Sequence, residues 1–388
     1  MKFAVEVFGC KVNQYESARW QLGLKEHLAE SVDDAQVVII FSCVVTHKAE
    51  AEVRRTLNKW LKQGKKVIIT GCGTRQTLTD IVSPNVTLVP IEDMNTYMEK
   101  HWNVRAPNIV PYIPNHSRAF VKVQDGCSWR CSYCLSSIER GSTVSRPLDD
   151  VLQEINLMVQ KGVKEIVLTG TNLLLWHQNE LNIFDLFEKV GDLAYHKSIR
   201  VRISSVYPQM VTDRFINLFK RYPFARHLHI SLQSGSDSVL RHMNRAPLQN
   251  LPQMLEGLLR LDENFAFTAD VIVGYPTETE QDFVKTMVFT ELFGFSKLHL
   301  FPFSPRSGTK ANELKPLNGD IISRRMEVLS RENVRLKERF VSRQENTFRD
   351  AVFLQDDRVA LTDNFIYVPS QPFNGIKPVK IVPESYII

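Results

Sequence analysis

The chain has 388 residues, room for two or three domains and too many for one small binding module. Hydrophobic residues make up 43% and charged residues 23%, which is ordinary for a packed protein and excludes disordered, collagenous and coiled-coil chains. The net charge of +5 permits a nucleic-acid partner without demanding one, and with no apolar run near the ~18 residues of a membrane span and no leader pattern after Met1, the expectation is a soluble, cytoplasmic protein with no membrane association.

Residues 2–8, 36–41 and 66–70 are short apolar or β-branched runs, separated by helical patterns at 16–30 and 46–63. This alternation predicts a parallel sheet in an α/β domain over residues 1–104, completed by a weak strand at 86–90 and a short helix at 93–101. Pro107, Pro111 and Pro114 punctuate an aperiodic linker, residues 105–117. The alternation then resumes with strands expected at 120–124, 165–169, 198–204, 227–232, 266–274 and 297–303, and helices at 148–161, 183–196, 251–261, 278–293 and 321–342. Six βα units predict a partial barrel over residues 118–343. The last stretch, 344–388, turns to β alternation at 351–354, 358–361 and 365–368, a small β domain.

Between residues 305 and 343 ten Lys or Arg stand against five Asp or Glu, a candidate phosphate contact; the alternative is a solvated helix face, because the signs mix at helical spacing. Residues 345–388 carry four basic and six acidic residues, which speaks against a phosphate clamp there.

Six cysteines in a reducing compartment point to ligands or catalysts, not disulfides. Cys10, Cys43 and Cys72 are far apart in sequence, yet each follows the end of an expected parallel strand by one or two residues. One such cysteine reads as a small buried residue. Parallel strands end on one edge, where open α/β sheets bind ligands, so three together read as a shared metal or cluster site. Cys127, Cys131 and Cys134 form C-x3-C-x2-C after the first barrel strand. Structural zinc takes four protein ligands, and its modules pair two C-x2-C units; three thiolates on a cubane iron-sulfur cluster instead leave one iron open.

C-x3-C-x2-C with Tyr133 before its last cysteine resembles the radical S-adenosylmethionine (SAM) superfamily, whose fold is a partial (β/α)6 barrel. Together with Cys10, Cys43 and Cys72 the chain resembles the methylthiotransferase family over essentially its whole length. Gly71-Cys72, Arg140-Gly141, Ser145-Arg146, Leu232-Gln233-Ser234-Gly235-Ser236, Met243-Asn244-Arg245 and the segments 270–274 and 303–309 support the resemblance. Lys11-Val12-Asn13-Gln14-Tyr15 after Cys10, and the segments 43–49 and 361–366, are similar to the branch acting on threonylcarbamoyladenosine in tRNA. The chain departs from the family pattern at Ser42, Tyr207 and Thr277.

The resemblance implies an N-terminal flavodoxin-like parallel α/β domain, a radical SAM barrel and a short TRAM-like β domain. It implies two 4Fe-4S clusters, one on Cys10, Cys43 and Cys72 and one on Cys127, Cys131 and Cys134, with SAM bound at the open iron of the second. Carbon 2 of adenine bears a hydrogen with no useful acidity and no leaving group, so sulfur insertion there requires a radical. The implied reaction adds methylthio to threonylcarbamoyladenosine at position 37 of tRNA, consuming two SAM and electrons from a low-potential donor of flavodoxin or ferredoxin type. Isopentenyladenosine or a ribosomal protein is the alternative substrate within the family, and a zinc-dependent RNA-binding scaffold the alternative of another class. Tyr133 and the strand-end residues Thr169, Asn172, Ser204 and Gln233 are the candidates for holding SAM, with Arg146 for its carboxylate. His227 and His229 share a strand face and read as barrel residues with local partners.

Overall fold

The computed structural model describes residues 1–110, 117–354 and 358–388. Strands β1 (Phe3–Val7), β2 (Val37–Ser42), β3 (Lys66–Gly71) and β4 (Val86–Leu88) pair in parallel, in the order β1-β2-β3-β4. β2 is buried at every position, as a parallel strand covered on both faces must be. Helix α2 (His47–Lys62) lays Val53, Leu57 and Trp60 on one face; Trp20 of α1 (Lys11–Gly23) and Met94 and Met98 of α3 (Met94–Trp102) cover the other.

The sequential order differs from the 2-1-3-4-5 order of flavodoxin-like sheets, so that resemblance holds for the layering and not for the topology. The reason is α1. With β1 at the sheet edge, α1 also packs on the barrel, where Tyr15 joins the main core. This helix begins at Lys11, five residues before the sequence pattern predicts, because the extended Cys10 serves as its N-cap.

The barrel opens with β5 (Arg118–Asp125), followed by the one-turn α4 (Ser136–Glu139) and by β6 (Val144–Ser145), which pairs antiparallel with the end of β5. Then come α5 (Leu148–Gln160), β7 (Glu165–Gly170), the hairpin β8 (His177–Gln178) and β9 (Leu181–Asn182), α6 (Ile183–Lys197) and β10 (Arg200–Ile203). The second half is α7 (Asp213–Arg221), β11 (His227–Gln233), α8 (Asp237–His242), α9 (Leu251–Leu261), β12 (Ala266–Val273), α10 (Glu280–Leu292), β13 (Lys297–Pro302) and α11 (Gly319–Ser342). Parallel pairing runs β10-β7-β5 and β11-β12-β13. Val206 joins the halves, donating its amide to the His229 carbonyl at 2.8 Å and accepting from the Ser231 amide at 2.9 Å. Six parallel strands thus form the expected open barrel. β10 starts later than expected because Ser198, at φ 52°, closes α6 in the left-handed region.

Four antiparallel strands, β14 (Phe348–Leu354), β15 (Val359–Thr362), β16 (Tyr367–Pro369) and β17 (Ile376–Lys380), form the last sheet in the order β16-β15-β14-β17. It packs across the strand-start end of the barrel, where Ala351, Ala360 and Ile366 share a core with Ala266 and with Phe340 of α11. The contact is polar as well: Arg200 donates to the carbonyls of Asp350 and Leu361, both at 2.9 Å, and Arg202 to those of Thr362 at 2.9 Å and Asp363 at 3.1 Å.

Of the expected linker 105–117, residues 111–116 lie outside the described residues. The residues before them are pinned: Arg19 Nε donates to the Pro107 carbonyl at 2.6 Å, and the Val110 amide to Glu154 at 2.7 Å. Tyr15 stands in the same knot, its hydroxyl donating to Glu154 at 2.9 Å and accepting from Arg146 at 2.9 Å. Tyr15→Phe removes both bonds while leaving Glu154 and Arg146 paired. The expected cost is about 1–2 kcal/mol, measured as a lowered urea midpoint.

Candidate active site

Cys10 caps α1 after β1, Cys43 follows β2, and Cys72 follows β3; all three line one cavity of about 670 Å³. Gly9 makes their approach possible. It sits at φ +86°, and a Cβ there would lie 2.6 Å from Cys43 Cβ and 2.7 Å from its Sγ. The Ser42 hydroxyl, at a position where the family pattern has Thr, donates to backbone carbonyls of Thr70 and Cys72 and fixes the β2 and β3 ends together.

Burial pushes the Cys72 thiol up to about 12 despite the Arg140 guanidinium, whose Nε lies 3.2 Å from Cys72 Sγ; burial raises Cys43 too. Coordination reverses this preference, because a thiol on a metal is deprotonated outright. Three soft sulfurs with the Arg140 cation beside them suit an anionic, thiolate-ligated group such as an iron-sulfur cluster.

The second triad lies on the loop after β5. Gly126, at φ +70°, allows the chain to cross so closely that a Cβ would meet the Ser142 carbonyl oxygen at 1.9 Å. Cys127, Cys131 and Cys134 then line a separate cavity of about 680 Å³ together with Gly141, Ser142 and Lys310. Burial raises the Cys127 and Cys131 thiols, with Asn172 and Arg245 respectively opposing it. Asn172 Nδ2 is 3.7 Å from Cys127 Sγ, while its buried Oδ1 has no partner among the described residues. A buried amide oxygen without a donor costs free energy unless a ligand supplies one, so the surroundings of Cys127 also fit a bound group.

One side chain ties the first triad to the root of the loop that carries the second. Arg140, at the end of α4, contacts Cys72 and Asn13 and grips Asp125, immediately before Gly126, at 3.0 and 3.1 Å. Asp125 also accepts from Thr171 at 2.9 Å and from Lys122 at 3.1 Å, and Lys122 pairs with Glu16 of α1. Burial opposes ionisation of Asp125, but Arg140 and Lys122 hold its carboxyl well below the ordinary range. Sequence alone marks Arg140 only through the Arg140-Gly141 resemblance; its partners come from three separate segments.

The expected SAM-contacting residues divide. Thr169 and Ser204 line the cavity of Cys10, Cys43 and Cys72. Tyr133 and Gln233 line a smaller one, about 180 Å³, between Cys134 and β13, where the buried Ser304 hydroxyl has no partner among the described residues. Asn172 lines none of these cavities, and neither does Arg146. Its guanidinium is taken up by Glu154 at 3.1 Å, Tyr15, and the carbonyls of Lys122 and Asn108. Tyr207, another departure from the family pattern, packs edge-on against Trp129 at 4.7 Å and lies under the Arg245 guanidinium.

His227 and His229 share the Thr268 hydroxyl, at 3.0 and 2.8 Å. Much of the positive charge expected to meet phosphate is internal: Arg306 pairs with Glu50, Arg325 with Glu278 and Glu280, Arg324 with Glu280, and Arg331 with Glu327. Among the described residues no helix is long and apolar enough to cross a membrane.

A parallel barrel with a cysteine triad after its first strand, joined to an α/β sheet bearing a second triad, defines an enzyme of radical SAM type with an auxiliary site. The radical SAM superfamily profile matches residues 121–290, and that of "Uncharacterized protein family UPF0004" matches residues 2–89. The threonylcarbamoyladenosine tRNA methylthiotransferase MtaB of Thermotoga maritima is 35% identical, over 80% of this chain and 76% of its own length. The protein of the same name from Bacillus subtilis is 31% identical, over 99% of this chain and 94% of its own. A tRNA-2-methylthio-N(6)-dimethylallyladenosine synthase from Chromohalobacter salexigens is 31% identical, over 81% of this chain and 78% of its own. Among solved structures, the radical SAM methyltransferase TsrM from Kitasatospora setae shares the fold at a TM-score of 0.56 and 10% identity, over 77% of this chain and 73% of its own. The chain belongs to the radical SAM methylthiotransferase family.

Enzymes of this family use SAM and 4Fe-4S clusters, two of them in the methylthiotransferases, and need a reductant.

Proposed function

We propose that the protein adds a methylthio group to carbon 2 of threonylcarbamoyladenosine at position 37 of tRNA, in the cytoplasm, with electrons from a flavodoxin- or ferredoxin-type donor. The carrying observation is the pair of thiol triads in separate cavities, with Arg140 beside Cys72 and paired to Asp125 at the root of the loop that carries the second triad. The names of the relatives at 31–35% identity support the choice of nucleoside.

In this reading Cys127, Cys131 and Cys134 hold the cluster that binds SAM, and Cys10, Cys43 and Cys72 hold the cluster that carries sulfur. When bound, these groups supply one-electron cleavage of SAM and a methylated sulfur for the activated base. The chain supplies position and charge. Asn172 orients toward Cys127, and Arg140 sets a fixed cation beside Cys72. Tyr133, Gln233, Thr169 and Ser204 offer hydrogen-bonding groups along the cavity walls for the polar parts of SAM and nucleoside. Arg146 has no place in this set, being a brace between α1 and α5. The work divides among residues 1–104, the barrel 118–343 and the β domain 344–388.

The test is mass spectrometry of nucleosides from tRNA incubated with anaerobically reconstituted protein, SAM and dithionite. Methylthiolated threonylcarbamoyladenosine is the expected product. Methylthiolated isopentenyladenosine, or product only on a ribosomal protein, overturns the reading.

A further inference from the structure

The cavity beside Cys10, Cys43 and Cys72 extends into the barrel, where its wall changes from sulfur to charge. There it is lined by Lys11, Arg118, Arg202, His229, Asp270 and His299. Asp270 is the one carboxylate among the described lining residues, and it already lies 3.1 Å from His229 Nε2 and 3.9 Å from His299 Nδ1. Arg118 and Arg202 are held by Glu165 below. Lys11 differs from both, making no hydrogen bond or ion pair among the described residues. An unpaired ammonium in a half-enclosed, cationic chamber favours an anion.

The donor atoms of His229, Asp270 and His299 lie within 4.8 Å of one another and could also take a metal ion. A divalent cation there would face Lys11, Arg118 and Arg202 across a low-dielectric space, which disfavours it.

We propose that Lys11 binds the carboxylate of the threonylcarbamoyl group, with His229 and Asp270 meeting its hydroxyl and ureido groups; this rests on the nucleoside reading above. The placement suits the chemistry. N6 and C2 of adenine flank N1 on the same edge of the base, so a residue that grips the N6 substituent belongs beside the site that delivers sulfur to C2. Lys11 directly follows Cys10. An isopentenyl group has no polar atom to pair with Lys11 and forfeits this interaction, which disfavours it.

The experiment uses reconstituted holoenzyme and anticodon stem-loop RNAs bearing threonylcarbamoyladenosine, its carboxylate methyl ester, or isopentenyladenosine. For the wild type, the ester is expected to lower kcat/KM about 10- to 100-fold, mainly through KM. Lys11→Met is expected to lose a similar factor on the acid and to lose little more on the ester, as a coupled pair requires; Lys11→Arg restores most of it. Iron content and visible spectrum of each variant report cluster assembly, and the ester comparison on wild type decides the matter even where a variant fails to assemble. A wild type indifferent to the ester, or a Lys11→Met protein that still discriminates acid from ester, overturns the inference while leaving the nucleoside reading intact. Preference for isopentenyl RNA overturns both. Stoichiometric zinc retained by the wild type and lost in Asp270→Asn also overturns it, placing a cation where the anion belongs.

Discussion

Alanine at Cys127, Cys131 or Cys134 is expected to abolish 5′-deoxyadenosine formation from SAM, whereas alanine at Cys10, Cys43 or Cys72 leaves that product and removes methylthiolation. The grounds are geometric. The triads open into different cavities. Loss of one ligand therefore disables one site and spares the other. Each variant should retain about four of about eight iron atoms after reconstitution. Deoxyadenosine assays without RNA separate the two classes, and methylthiolation by a Cys43→Ala protein would defeat the division of labour proposed for them.

Glu165→Gln should be the most damaging single change in the scaffold. Glu165 is fully buried at the start of β7 and accepts from Arg118 at 2.8 Å, Arg200 at 2.5 Å, and Arg202 at 2.9 and 3.1 Å. Burial alone would raise its carboxyl, but Arg200, Arg202 and Arg118 together hold it well below the ordinary range. Neutralising it leaves three inward guanidiniums without their counter-charge, at an expected cost of about 3–5 kcal/mol. The C-terminal sheet should become the first segment released in limited proteolysis, because Arg200 and Arg202 anchor it. The pH dependence follows from the depressed carboxyl. Its stabilisation is fully present above the unfolded glutamate value of about 4.3 and fades as pH falls toward the folded value. The difference in urea midpoint between wild type and variant should hold from neutral pH to about pH 5 and narrow only below about pH 4. A difference that vanishes at neutral pH would show that the arginines find other partners.

The thiol sites were legible because they depend on local signals. Alternating strands and helices fix where strands end, and Cys10, Cys43, Cys72 and Cys127 all follow strand ends. Short helices were not: α7 is one amphipathic pair of turns capped by Thr212, and α8 spans six residues, too few for a period to show. β17 was missed because its exposed, Lys- and Pro-bearing pattern looks like a loop. Arg146 illustrates a different limit. Its residue type and position suit a carboxylate partner, and the carboxylate it meets in the structure is that of Glu154, eight residues away. Arg140 and Lys11 acquire their surroundings from the contact between α1, the β5 loop and the barrel interior, which no window of sequence contains.

The arginines at the strand-start end of the barrel impose a schedule on synthesis. Arg200 and Arg202 take carbonyl acceptors from residues 150 to 161 positions later in the chain. During translation the barrel strands emerge well before those acceptors exist, so the nascent barrel is expected to stay solvated at its base until the last sheet is made and docks. Contacts of such long sequence separation form late and slowly. Ribosomal stalling or truncation within residues 344–388 is thus expected to trap an open, aggregation-prone barrel and not a shortened active enzyme.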